Sequence, residues 1–528
     1  MGNTYFRFSL IFLITLNISC EKNNFKNDII SSSHPLASKS GKEMFELGGN
    51  AFDAAVSAAF TLSVVEPSMS GLGGRLQAIF INNGVIGGVD ASTEVPISYK
   101  PSEEKYEYGY KTIGIPGVVA GLIKLHSENG ILPLKVVLSP SIKYAREGFK
   151  ILPGEAYRQK IASKIFKEFT GTSFHFLKDG NSTYESGESM VQEALSKVLI
   201  TIAAEGKKGF YEGEIAEKIV SDIQKNGGII SLEDLKNYKA LDSRIVKGKY
   251  KKNDVYSLFL PSFGAITIQI LQILDNLPMA NTEEEWVKNI GIATKLAYKN
   301  RDYQDIDDSL NNILSYSKAK EIANKINNGN EFVFNDNFSN LPKSWIADIG
   351  HTTHLTTADK DGNVVSLTQT IGPLMGSKVA SKELGFLYAV TLGGYLGNYK
   401  PGDRANSHIS PTLILKNKYP ILALGAAGGS RIITAITQVS SRYLDQKKSL
   451  SESLMLPRVY PFNDTLQIEN HIGLEKINAK LSQKITPFKL INSVARFGRV
   501  HAVAIDSVNK KWIGASDPDW EGTVEIHE

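Results

Sequence analysis

The chain has 528 residues, 42% hydrophobic and 22% charged, with 45 glycines, a balance that excludes a disordered or fibrous protein and allows a large buried core. Its formal net charge is only +4 at pH 7, with no long basic block, which excludes an electrostatic groove for nucleic acid. The single cysteine, Cys20, rules out an internal disulfide and, with nine scattered histidines, argues against a structural zinc site.

Cys20 closes an N-terminal segment in which Arg7 precedes an apolar run over residues 8–18. That run is too short to span a bilayer and has the length of a signal-peptide core. A lone cysteine after Leu16-Asn17-Ile18-Ser19 resembles a bacterial lipoprotein signal, in which the cysteine is lipidated and becomes the mature N-terminus. Asn17 departs from the usual small aliphatic residue, and ordinary secretion with an incidental cysteine is the alternative. Both readings take the protein out of the cytoplasm, to the periplasm or cell envelope, with membrane contact only through the N-terminal lipid. Residues 1–20 are thus expected to form the signal segment, with lipidation at Cys20. Residues 21–33 are polar and read as a flexible tether, and the folded body is expected from His34 onward.

Apolar positions at helical spacing over residues 39–65, interrupted by Gly48-Gly49, are followed by a strand-like run over 76–89. Residues 116–235 carry mainly helical spacing, as over 118–126, 191–204 and 215–225, and predict a helical lobe. Residues 324–344 are rich in Asn, Lys and Ser and read as an exposed loop. Two alternating runs over 353–370 then flank Asp359-Lys360-Asp361-Gly362-Asn363, the pattern of a β-hairpin. The turn lacks the later glutamate of a calcium loop, so the hairpin reading stands.

Thr352-Thr353 at a strand start is, by itself, ordinary use of a β-branched residue. Its surroundings are more specific. Gly350-His351-Thr352-Thr353-His354, followed by the hairpin turn and Val364-Val365-Ser366, resembles the start of the small subunit in the gamma-glutamyltransferase family of N-terminal nucleophile hydrolases. His34-Pro35-Leu36-Ala37-Ser38, Gly48-Gly49-Asn50-Ala51-Phe52-Asp53-Ala54-Ala55 and Val65-Glu66-Pro67 through Ser70-Gly71-Leu72-Gly73-Gly74 are similar to that family's opening blocks. Gly114-Ile115-Pro116-Gly117, Gly209-Phe210-Tyr211, Ser410-Pro411-Thr412, Gly428-Gly429-Ser430-Arg431-Ile432 and Gly514-Ala515-Ser516-Asp517-Pro518 continue the series in order.

The resemblance implies an α/β fold, a four-layer αββα sandwich, with the helical lobe added to it. It implies cleavage between His351 and Thr352 into a large subunit, 34–351, and a small one, 352–528, that remain together as a heterodimer. The chemistry explains the residue type. A hydroxyl needs a base beside it, and a chain-terminal amine, with a pKa of roughly 7.7–8.0, supplies one. Thr352 then carries both nucleophile and base. The family's second threonine falls on Thr370, and the glycines whose N–H groups form its oxyanion hole fall on Gly428 and Gly429. No metal or organic cofactor is required.

The substrate-binding positions depart from the family. Ser92 stands where an arginine grips the substrate carboxylate, Gly394 where an aspartate binds its amine, Thr391 in place of a polar amide and Gly372 in place of an asparagine. The family's Ser-Ser pair becomes Ser407-His408. Serine lacks the two-pronged donor that suits a carboxylate. Arg75, which breaks the glycine run after Gly74, is a candidate replacement, with a structural arginine as the alternative. The expected activity is cleavage of γ-glutamyl-type amides, as in glutathione hydrolases or poly-γ-glutamate depolymerases. The alternatives are an acylase on another small-molecule or peptide amide, and a non-catalytic ligand-binding lipoprotein of the same fold.

Overall fold

A computed structural model describes residues 25–327, 351–392, 399–462, 465–470, 488–491 and 497–528, except residues 103, 105, 302 and 303. Cys20, Gly394 and the greater part of the predicted loop over 324–344 lie outside the described residues. In chain order the strands are β1 (Asp28–Ser32), β2 (Arg75–Asn82), β3 (Val85–Ala91), β4 (Phe149–Lys150), β5 (Ser189–Met190), β6 (Leu241–Asp242), β7 (Ile245–Tyr250), β8 (Asn253–Leu258), β9 (Thr353–Ala358), β10 (Val364–Thr370), β11 (Thr412–Lys416), β12 (Tyr419–Ala427), β13 (Val459–Phe462), β14 (Thr465–Glu469), β15 (Phe488–Ile491), β16 (Arg499–Asp506), β17 (Lys511–Ser516) and β18 (Thr523–His527). One sheet has the order β18-β1-β9-β10-β2-β3-β6 and a second the order β17-β16-β12-β11-β8-β7.

Strand alternation sorts the side chains into layers. Leu76 and Ala78 of β2, with Val365 and Leu367 of β10, join a core shared with the helices Ala51–Val65 and Val118–Asn129. Ile79, Ile81 and Val364 point the other way and meet Leu413, Ala423 and Val503 of the second sheet. The far face of that sheet, through Leu422, Leu424 and Ala502, packs on the helices Gly264–Asn276 and Ile432–Leu444. The result is the expected αββα sandwich. The predicted helical stretch over 116–235 is present, and its apolar side chains join the same core as the first sheet.

Two local signals are realised as read. Gly48 adopts φ +83° and separates the helices Pro35–Glu46 and Ala51–Val65, and Asn50 with Asp53 forms a capping box on the second. The 353–370 hairpin turns where predicted: the Asp359 carboxylate accepts from the Asn363 N–H (2.9 Å) and from the Ala51 N–H (3.0 Å). The turn is therefore fastened to the start of the helix Ala51–Val65, which fixes β9 and β10 against the helical layer.

Three expectations are corrected. The tether predicted over 21–33 gives way at Asp28 to β1, a buried strand between β18 and β9. Its serines mislead because their hydroxyls are buried with partners: Ser31 donates to the Ala515 carbonyl (2.8 Å) and Ser33 to Glu66 (2.7 Å). The single strand read over 76–89 is a hairpin, because Asn83 (φ 48°) and Gly84 (φ 79°) turn the chain between β2 and β3. The predicted loop begins too early, since residues 324–327 end the helix Tyr316–Asn327.

Candidate active site

β9 starts at Thr353 and pairs with β10 so that Thr353 faces Gln369, which brings the next pair, Thr352 and Thr370, together at the strand ends. Both are buried, and Thr352 Oγ1 donates to Thr370 Oγ1 at 3.1 Å. Thr370 Oγ1 also accepts from the Gly372 N–H (3.0 Å). Thr352 itself has φ +135°, a conformation that a β-branched residue rarely adopts.

The second sheet brings the two glycines to the same end. Thr356 Oγ1 reaches the carbonyl of His501, which lies across from Gly425, and the Thr352 carbonyl reaches Arg499, which lies across from Ala427. Stepping back along β9 from Thr356 to Thr352 thus corresponds to stepping forward along β12 from Gly425 toward Gly428. At Gly425 the sheets approach closely, since a Cβ there would sit 2.3 Å from the His354 ring. Gly428 (φ 142°) and Gly429 (φ 58°) follow β12 and lead into the helix Ile432–Leu444, so their backbone is placed at a helix start.

Arg75 opens β2 directly opposite Thr370 and is 1% exposed. Its Nη2 donates to the Val390 carbonyl (3.1 Å), and a Cβ at Gly372 would lie 2.8 Å from the same nitrogen. The glycine at 372 (φ 92°) thus makes room for the guanidinium. Thr93, 3.5 Å from Arg75 Nη1, accepts a hydrogen bond from Thr391 (2.8 Å). His408 stacks on Phe263 with ring centroids 5.3 Å apart. Burial, and then the charges of Arg301 and Arg75, hold His408 well below the usual histidine range and therefore neutral.

Two further predicted positions, Ser92 and Ser407, are held by hydrogen bonds to other residues. Ser92 Oγ accepts from Gln77 Nε2 (3.0 Å), and the Ser92 carbonyl accepts from the Tyr238 hydroxyl (2.6 Å). Ser407 Oγ makes a long contact with the Ile409 N–H (3.5 Å), and its own N–H donates to the Pro261 carbonyl (2.8 Å). No group of three or more His, Cys, Asp or Glu able to hold a metal occurs among the described residues.

Beneath Thr352 lies a buried polar network that sequence reasoning did not single out. Glu66, at the end of the helix Ala51–Val65, accepts from Thr353 Oγ1 (2.7 Å) and from Ser33 Oγ (2.7 Å). It pairs with Arg499 (3.3 Å) and Arg158 (3.4 Å). Burial alone would raise its carboxyl, but the two arginines and two hydroxyls hold it below the usual range. Glu66 lay within a recognised block, whereas nothing in the sequence marked Arg499. His351, on the other side of Thr352, is kept neutral by burial and by the charges of Lys378, Arg158, Arg431 and Arg499.

Residues 37–526 match the family model described as gamma-glutamyltranspeptidase. The capsule biosynthesis protein CapD proenzyme of Bacillus anthracis is 29% identical over 531 residues, covering 96% of this chain and 95% of that protein. A glutathione hydrolase proenzyme of Escherichia coli strain K12 is 30% identical over 491 residues, 84% of this chain and 83% of its own length. Among solved structures, a cephalosporin acylase from Bacillus halodurans superposes with a TM-score of 0.85 at 24% identity, covering 95% of this chain and 96% of that one.

Proposed function

The chain belongs to the gamma-glutamyltranspeptidase family of N-terminal nucleophile hydrolases, and on that premise we propose that Thr352 is its nucleophile, exposed by cleavage after His351 and acting on γ-glutamyl-type amides. The observation that carries this reading is the buried Thr352–Thr370 hydroxyl pair at the end of the β9–β10 hairpin.

In the precursor, Thr352 Oγ1 attacks the His351 carbonyl carbon. An ester bond forms, the amide bond breaks, and the hydroxyl proton passes to the departing Thr352 nitrogen. Water then cleaves the ester and leaves a carboxylate on His351 and an amine on Thr352. In the mature enzyme that amine takes the hydroxyl proton as Oγ1 attacks a substrate amide and returns it to the leaving amine. Water or an amine finally releases the acyl group. Thr370 accepts from Oγ1 in the resting chain, and the same bond reverses to stabilise Oγ1 once its proton is gone. The N–H groups of Gly428 and Gly429 are the oxyanion donors in this scheme.

Thr370→Val keeps a branched side chain in β10 but removes the hydroxyl. It is expected to slow both cleavage and turnover by roughly 10²-fold, the cost of one well-placed partner of the developing charge. Timed denaturing gels and initial rates check this, alongside an unchanged circular dichroism spectrum.

Substrate specificity in this reading comes from Arg75, which takes the carboxylate that Ser92 no longer meets, with His408, Thr391 and Ser407 around the pocket and Gly394 in place of the amine-binding aspartate. Outside the described residues, the segment ending at Cys20 directs export and lipid anchoring, and the two chains from 34–351 and 352–528 stay paired. N-terminal sequencing of the small chain is expected to begin at Thr352. Release from a γ-glutamyl anilide is expected to exceed release from the corresponding glutaryl anilide, which lacks the α-amine. The reverse order supports the acylase reading, which Ser92 and Gly394 favour. A wild-type chain that never divides supports the ligand-binding lipoprotein instead.

A further inference from the structure

We propose that Arg499 is a positioning residue that fixes the Thr352 carbonyl and keeps the α-amine created by cleavage in its neutral form. The inference rests on the reading of Thr352 as nucleophile given above.

Arg499 opens β16, is 1% exposed, and lies across from Ala427, the residue before Gly428. Its neighbour Gly498 packs on Gly428 so closely that a Cβ on Gly428 would come within 2.8 Å of the Gly498 Cα. From this place one guanidinium reaches two other elements. Nη2 donates to the Thr352 carbonyl (3.2 Å), and Nη1 donates to Glu66 Oε1 (3.3 Å). Glu66 Oε2 in turn accepts from Thr353 Oγ1 (2.7 Å). Arg499 therefore ties the start of β9, the end of the helix Ala51–Val65 and the strand beside the glycine pair into one unit. A planar fork makes both contacts at once, which a lysine ammonium on a single point does less well.

The charge has a second effect. An α-amine ordinarily titrates at roughly 7.7–8.0 and serves as a base only when neutral. Covalent geometry puts the Thr352 nitrogen within roughly 7 Å of the Arg499 Nη2 that holds its carbonyl. A like charge that close disfavours the protonated amine. The other charged groups facing this point are Glu66, Arg158 and Glu155 (the last two on the helix Pro153–Phe166), Lys378 after β10, Arg431 after the glycine pair and, once the bond is cut, the new His351 carboxylate. Arg158 is shared between Glu155 (3.2 Å) and Glu66 (3.4 Å), and Lys378 donates to the Gly376 carbonyl (3.1 Å). Arg499 and Glu66 are the charged groups in hydrogen-bond contact with the Thr352-Thr353 dipeptide and pull the amine in opposite directions, with Lys378, Arg158 and Arg431 adding to the positive side.

The test uses processed full-length protein. The titration midpoint of the Thr352 amine is read from the pH dependence of its acylation by a small reagent, quantified by mass spectrometry of the small chain's N-terminal peptide. The acid limb of kcat/KM is measured in parallel. Arg499→Gln is expected to raise the midpoint by roughly one unit, Glu66→Gln to lower it by a similar amount, and Arg499→Lys to leave it near wild type while slowing cleavage. Midpoints that coincide with wild type, or that shift in the same direction in the two glutamine variants, overturn the proposal. Should Arg499→Gln fail to mature, an unshifted Glu66→Gln midpoint overturns it alone. A wild-type small chain that begins elsewhere refutes the nucleophile assignment itself, which the variants leave untouched.

Discussion

Thr352→Ala is expected to leave the purified chain as a single band on a denaturing gel and to remove amide turnover by roughly 10⁴-fold or more, whereas the parent chain divides in two. The alanine variant has no hydroxyl to carry the acyl group, and Thr370, its 3.1 Å partner, sits mid-chain without an amine of its own. Thr352→Ser keeps the oxygen and is expected to divide and turn over more slowly. The backbone adds a driving force. At φ +135° Thr352 holds strain on the order of 1–3 kcal/mol. That torsion is defined by the bond to His351, so cleavage abolishes it and releases the strain at once. Two bands from Thr352→Ala, or turnover equal to the parent, would sink the nucleophile assignment.

The second large effect is expected at the Arg75–Gly372 contact. Arg75→Ala is expected to lower kcat/KM on a carboxylate-bearing γ-glutamyl substrate by roughly 10²–10³-fold, because a buried charge partner of the substrate is removed. An uncharged acyl anilide of similar size is expected to be far less affected, and that contrast separates recognition from damage to the fold. Gly372→Asn is expected to mimic the loss. Its Cβ would sit 2.8 Å from Arg75 Nη2, and its φ of +92° strains any side chain, so the guanidinium is driven from its place. Equal affinity and turnover in Arg75→Ala would leave Arg75 a structural residue, held among contacts that include the Val390 carbonyl and Thr93.

The β9–β10 hairpin was legible in the sequence because its alternation and its Asp-Gly-Asn turn are local signals, and the helix break at Gly48 was legible for the same reason. β1 was not. Ser31, Ser32 and Ser33 look solvent-exposed by composition, and their burial depends on acceptors such as Ala515, 484 residues away. The Glu66–Arg499 pair is harder still, since its members lie 433 residues apart and meet only after both sheets have formed. Arg75 was a candidate because it interrupts a glycine run, but its fit to the space left at Gly372 comes from the register of β2 against β10. Ser92 shows the converse. Its position in a motif was clear, yet its hydroxyl is engaged by Gln77.

The order of the first sheet, β18-β1-β9-β10-β2-β3-β6, alternates segments from either side of the His351–Thr352 bond. β1 comes from before it and is hydrogen-bonded on both edges to strands from after it, and β2 is bonded to β10 across the same divide. The second sheet repeats the arrangement where β11 meets β8. A cut there would sever one covalent link while leaving the two pieces threaded through each other like interlaced fingers. The pieces have no flat face along which to part, so separating them means unfolding both. A cut at that bond can therefore open the chain without loosening the walls on either side of it.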